Sequence, residues 1–114
     1  MIAGGRSAGA QVAYRTAAGL GALAVLALAY PLLGPGNLAE LLATGRPTLV
    51  VQGGNDPFGR PGQFPPLPPD IELVEIPSAN QTFGTPADIP RAAAMIRITT
   101  AVTEWIDRHH PLID

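Results

Sequence analysis

The residues best suited to chemistry are a serine flanked by small residues and an aspartate about fifty positions further on. Gly5-Arg6-Ser7-Ala8-Gly9 forms a G-x-S-x-G pattern between an apolar start, Met1-Ile2-Ala3, and a stretch of helix formers. Small residues on both sides of a serine permit a sharp strand-to-helix turn that lifts the hydroxyl into a cleft. Read locally, the pattern is equally a glycine-rich turn in which Ser7 caps a helix starting at Ala8. Asp56 stands in Gly53-Gly54-Asn55-Asp56-Pro57, directly after the apolar run TLVVQ at 48–52. Open α/β sheets gather functional groups there, at the carboxyl ends of strands. A carboxylate so placed can orient a base and stabilise the imidazolium that forms when a serine gives up its proton. Asn-Asp-Pro is also ordinary turn chemistry.

A base is harder to find. The only histidines are His109 and His110, at the end of a helical pattern over 90–110. Such a helix is about 30 Å long at 1.5 Å per residue. It is expected to start near the strands' carboxyl ends and run away from them, leaving both histidines at the opposite edge of the sheet as polar residues of a helix C-terminus.

The elements that must position these groups follow from the blocks of apolar residues. Residues 1–3 read as a strand fragment ended by a Gly-Gly turn, and 8–18 (AGAQVAYRTAA) as a helix ended at Gly19 and Gly21. The run at 22–30 (ALAVLALAY), closed by Pro31, suits a strand buried on both faces. A short helix is expected over 38–44, a second buried strand over 48–52, and a third, less buried strand over 72–76. Residues 60–70 (RPGQFPPLPPD) hold too many prolines for a helix and read as an extended surface linker. Residues 77–89 are loop. The 90–110 helix places Met95, Ile98, Val102, Trp105 and Ile106 on one face. Strands alternating with crossovers predict an α/β fold: a parallel sheet of about three to four strands with flanking helices.

Composition narrows the function classes. The chain has 114 residues, 46% hydrophobic and 14% charged, which describes a chain that buries a core. A formal charge of −2, with every cation an arginine, offers no basic surface for nucleic acid. Without cysteine there is no disulfide, thiolate nucleophile or cysteine zinc site, and no metal or cofactor is expected. Residues 16–39 carry no charge, but glycines and prolines confine the uninterrupted apolar block to 22–33, the length of a buried core element rather than a membrane span. The start lacks a cationic segment ahead of an apolar one, so no secretory signal is read there and a cytoplasmic location is expected.

With these blocks in place, the chain resembles the C-terminal half of an α/β-hydrolase, in the small branch that includes the dienelactone hydrolases and related bacterial hydrolases. The resemblance covers nearly the whole chain: Gly4-Gly5-Arg6-Ser7-Ala8-Gly9, Leu28-Ala29-Tyr30-Pro31-Leu32, and Pro47-Thr48-Leu49-Val50-Val51-Gln52-Gly53 leading to Asp56-Pro57-Phe58-Gly59. It implies that Ser7 is the nucleophile, the Ala8 backbone N–H an oxyanion-hole donor, and Asp56 the triad acid, in the chain order Ser, Asp, His. Relatives carry the histidine in the loop after the next strand, in a motif such as Gly-Ala-Asp-His-Ser-Phe. Here that loop reads Ser78-Ala79-Asn80-Gln81-Thr82-Phe83, so Gln81 occupies the histidine position. An amide cannot take the serine proton, and without a base the hydroxyl is a weak nucleophile.

The resemblance also implies a single partial domain over 1–114, with the elbow at 4–9, the acid loop at 53–59, the proline-rich loop at 60–70 and the C-terminal helix at 90–110. The strands that precede the elbow in relatives, and the second oxyanion donor they supply, have no counterpart in it. Two functions follow as expectations. One is a serine hydrolase for carboxylic esters or lactones, impaired by truncation and by Gln81, taking a small acyl or ester ligand. The other is a non-catalytic pseudo-hydrolase fragment that binds a ligand or partner, with self-association through an exposed apolar sheet edge.

Overall fold

The computed structural model describes the backbone of residues 2–6, 24–43 and 45–113, and the side chains of residues 24–43 and 45–109. Strands β1 (Ile2–Arg6), β2 (Ala24–Leu28), β3 (Thr48–Gly53) and β4 (Ile71–Ile76) form one all-parallel sheet in that spatial order. Helix α1 (Asn37–Leu42) lies between β2 and β3, a 3-10 turn (Pro61–Gln63) lies between β3 and β4, and helix α2 (Arg91–Ile113) follows β4. The helix expected over 8–18 lies outside the described residues.

The Gly-Gly turn expected after Ala3 is absent. β1 continues through Gly4 and Gly5 to Arg6, with Gly4 opposite Leu26, Gly5 opposite Ala27 and Arg6 opposite Leu28. Pairing with a neighbouring strand gives these backbone groups ladder partners, which outweighs the weak strand preference of glycine. β2 is shorter than the 22–30 run: it stops at Leu28 because Ala29 turns into left-handed backbone, φ 59°. Ala29 is nonetheless buried, and its N–H donates to the Val51 carbonyl at 2.8 Å. α1 ends at Leu42, two residues before the expected end, and starts after Gly36, whose φ of 77° is a conformation that suits glycine.

Every residue of β3 is buried, and successive side chains point to opposite faces. On one face Val50 joins Val25, Ala27, Tyr30, Leu41 and Ile71. On the other, Leu49 and Val51 pack with Ile76, Phe83, Ala94, Ile98 and Trp105. The first face shows why 60–70 is more than a linker. Phe64 and Leu67 from that loop pack against the Val50 cluster, so a proline-stiffened segment covers the sheet where a crossover helix commonly does.

α2 buries Ala94, Ile98, Ala101 and Trp105, an i, i+4, i+7, i+11 stripe facing the sheet. Met95, expected on that stripe, sits at its margin and is 46% exposed. The helix runs antiparallel to β4: Arg97 Nε donates to the Glu75 carbonyl at 2.7 Å, and Arg108 donates to both Glu72 carboxylate oxygens at 2.8 and 2.6 Å.

Candidate active site

The acid turn begins where β3 runs out. Asp56 N–H donates to the Gly53 carbonyl at 3.1 Å, closing a turn through Gly54 and Asn55, and Pro57 prevents the strand from resuming. The Asp56 side chain folds back into this turn and is only 1% exposed. Its Oδ1 accepts the Phe58 N–H at 2.8 Å. Desolvation raises the carboxyl above the ordinary aspartate range, and the Phe58 hydrogen bond opposes that rise.

Beneath the turn lies Gln52, fully buried and on the Val50 face of β3. Its Oε1 accepts the Tyr30 N–H at 2.9 Å, and its Nε2 donates to the Tyr30 carbonyl at 2.7 Å and to the Gly59 carbonyl at 2.8 Å. A third contact, to Asp56 Oδ2, is longer at 3.3 Å. An amide nitrogen has two hydrogens, and the shorter bonds use both, so the bond to Asp56 is a shared one. Oδ2 therefore keeps acceptor capacity for another donor. Gln52 thus fastens the end of β2 to the acid turn, with Tyr30 in turn donating its hydroxyl to the Asn37 carbonyl at 2.8 Å. The signal for Gln52 in the sequence is a lone amide closing the apolar run TLVVQ; its Tyr30 partner is 22 residues away and leaves no local trace.

The loop that carries Gln81 is clamped to the same turn. Gly54 N–H donates to Ile76 O and Asn55 N–H to Ala79 O, each at 2.9 Å. The approach is so close that a Cβ on Gly53 would collide with the Ala79 and Asn80 carbonyl oxygens. Within the loop, Asn80 Oδ1 accepts the backbone N–H groups of Thr82 and Gly84 and the Thr82 hydroxyl, each at 2.9 Å. Ser78 and Phe83 both take left-handed backbone, φ 61° and 59°. Gln81 is half-buried, and among the described residues it makes no hydrogen bond to Asp56.

Ser7 and Ala8 lie outside the described residues. β1, however, ends at Arg6 opposite Leu28, so the chain reaches the sheet's carboxyl edge immediately before Ser7. His109 is half-buried with its ring centroid 5.4 Å from that of Trp105. It follows Arg108, which pairs with Glu72 near the amino end of β4, and so stands at the edge opposite Asp56. The His110 side chain lies outside the described residues. A cleft of about 300 Å³ opens at the acid turn, lined by Leu33, Asn55, Asp56, Pro57, Arg60 and Gln63. Among the described residues no group of three or more His, Asp or Glu is arranged to hold a metal ion, and no helix is long and apolar enough to cross a membrane.

A parallel sheet layered on both faces, with its polar turns gathered at the strands' carboxyl ends, defines the molecule as an open α/β protein. Residues 1–107 match the family described as alpha/beta hydrolase domain, and the chain belongs to that family. Its fold is similar to that of an alpha-beta serine hydrolase homologue from Coxiella burnetii, with a TM-score of 0.64 and 20% sequence identity. The match covers 90% of this chain and 47% of that one, so the chain spans about half the length of the protein it resembles. No curated protein matches the sequence.

Proposed function

We propose that the chain carries the nucleophile and acid of a serine hydrolase for carboxylic esters or lactones, with the base replaced by an amide. In this reading Ser7 attacks the carbonyl carbon, the Ala8 N–H faces the oxyanion, and Asp56 is the acid that would orient a base. Gln81 stands where that base belongs. The observation that carries the reading is the clamp between the two loops. Asp56 is buried and held through Oδ1, its Oδ2 retains acceptor capacity, and its turn is hydrogen-bonded to the loop bearing Gln81. A ring N–H from position 81 would meet a carboxylate already oriented, as a triad requires.

The chemistry then falls short at one proton transfer. Attack by Ser7 requires its proton to leave, and the Gln81 amide has no basic nitrogen to accept it. Removing a triad member costs on the order of 10⁴ to 10⁶ in kcat, leaving only what binding and oxyanion stabilisation contribute. The unmodified chain is therefore expected to show no Ser7-dependent turnover of p-nitrophenyl acetate.

The test is Gln81→His. That variant is expected to gain ester hydrolysis and to let a fluorophosphonate probe label Ser7, with both lost in the Gln81→His, Ser7→Ala double variant. A folded Gln81→His chain with neither labelling nor turnover would count against the triad and leave the second reading, a non-catalytic module that binds a small acyl ligand. Saturable, Ser7-dependent hydrolysis by the unmodified chain would show instead that the site finds its base elsewhere.

A further inference from the structure

At the carboxyl end of β2, on the α2 side of the sheet, Leu28, Thr82, Phe83, Arg91, Met95 and Ile98 line a pocket of about 120 Å³. Its floor is apolar: Phe83 and Ile98 belong to the buried core under α2, and Leu28 packs against that core. Thr82 and Arg91 contribute the polar groups. Met95 forms the outer wall and is 46% exposed at the margin of an otherwise buried stripe. Its unbranched thioether can change shape to follow an occupant.

Three features set this pocket beside the proposed chemistry. Leu28 is the register partner of Arg6, the residue immediately before Ser7, and neighbouring strands lie about 4.8 Å apart. Thr82 and Phe83 directly follow Gln81. The segment that supplies them is held in a costly conformation: Phe83 adopts φ 59°, fixed by its N–H to the Asn80 carbonyl at 3.0 Å and by the three bonds to Asn80 Oδ1. A bulky residue in left-handed backbone persists only where the surroundings over-determine it, and such strain concentrates at ligand clamps.

We infer that this pocket takes the alkyl chain of a short acyl ester, and that Met95 sets the length it accepts. The inference rests on the hydrolase reading above. At about 120 Å³ the space is somewhat smaller than the roughly 150 Å³ cavity that admits benzene, so a straight alkyl chain of about three carbons, that of a butyryl group, fills it. Each methylene removed from water adds about fourfold to affinity until the pocket is full. Beyond that length the chain meets the close-packed floor and gains nothing.

The chain has two methionines, Met1 and Met95, so isotope labelling of methionine methyl groups gives Met95 its own resonance. Titration with methyl butyrate is expected to shift that resonance saturably. Methyl acetate should bind on the order of tenfold more weakly, and methyl hexanoate no more tightly than the butyrate. Met95→Trp fills the pocket from its exposed side and is expected to abolish butyrate binding, followed at the Phe83 and Ile98 amides, while the remaining backbone spectrum stays native. Met95→Ala, which opens the same wall, should move the preference towards the hexanoate. A Met95 methyl that does not respond, or butyrate binding that survives Met95→Trp, overturns the inference. The two readings fail separately. Ester hydrolysis by Gln81→His with a chain-length preference indifferent to Met95→Trp would sink the pocket and spare the hydrolase. Saturable butyrate binding without labelling or turnover in Gln81→His would sink the hydrolase and uphold the pocket.

Discussion

Asp56 is the residue at which burial and ionisation pull in opposite directions. Burial makes its charged form expensive, and the Phe58 N–H recovers only part of that cost, so its carboxyl titrates above the ordinary 3.8. A native state that holds a proton more tightly than the unfolded chain loses stability as pH rises from the ordinary aspartate range through the raised native value. Asp56→Asn removes the ionisation and keeps an acceptor for the Phe58 N–H. The variant is expected to gain on the parent chain between about pH 3 and about pH 7, with the difference shrinking at the acid end, as denaturant midpoints at both values would register. A pH-independent difference would mean that this carboxyl does not titrate differently on folding. The left-handed backbone at Ala29, Ser78 and Phe83 belongs to the same pattern. All three residues lie at or beyond the carboxyl ends of strands, where the polar turns must be shaped, and each costs about 1 to 3 kcal/mol that the surrounding packing offsets.

Among the elements, α2 contributes most through its buried stripe and least through its charges. Trp105 is 1% exposed beneath the helix and among the largest fully buried side chains. Trp105→Ala is expected to cost about 3 to 5 kcal/mol, a large share of a typical domain's roughly 5 to 15, and a lowered urea midpoint would report it. In the Arg108–Glu72 pair one guanidinium nitrogen, Nη2, donates to both carboxylate oxygens, but the side chains are half-exposed, at 53% and 39%, and solvent screening limits such a pair to about 1 kcal/mol or less. Its more definite role is orientation. Together with the Arg97 bond to the Glu75 carbonyl it lays α2 antiparallel to β4. The helix start is thereby directed to the carboxyl edge and His109 to the other, the edge away from Asp56. Glu72 and Glu75 on β4 also discourage pairing of that strand with another copy of itself, since charged side chains blunt sheet edges.

At the scale of the whole molecule, protection is set by distance from the covered centre of the sheet. β3 is paired on both sides, by β2 and β4, and buried on both faces along its full length. Its amides are expected to exchange with solvent most slowly among the described strands, near the rate set by global unfolding, while those of 54–58 and 78–84 exchange through local opening. Hydrogen-exchange measurements on the folded chain would check this, and faster exchange in β3 than in β4 would contradict it. Both faces are closed by different means: a regular helix on one, and on the other α1 with the proline-rich segment, whose Phe64 and Leu67 serve as its anchors.

How much of this was legible beforehand depended on the range of the interaction. The run TLVVQ, the i, i+3, i+4 pattern leading to Trp105, and the breakers Pro31, Gly45 and Pro57 are local signals, and they located the elements to within a few residues. Asp56 was legible because a turn after a buried strand is itself a local signal. Gly4 and Gly5 misled, because their strand pairing is made with Leu26 and Ala27, beyond any local window. The loop 60–70 misled for a related reason: its prolines announce the absence of a helix but not that Phe64 and Leu67 would find a cluster to cover. The sequence by itself determined a parallel α/β chain of the hydrolase family, with Asp56 in the turn after a buried strand. Only the tertiary structure decided that Gln52 ties β2 to the acid turn, and that Gly53 admits the loop of Gln81 against that turn. Those contacts join residues more than twenty positions apart, and their geometry comes into being only when the sheet has closed around them.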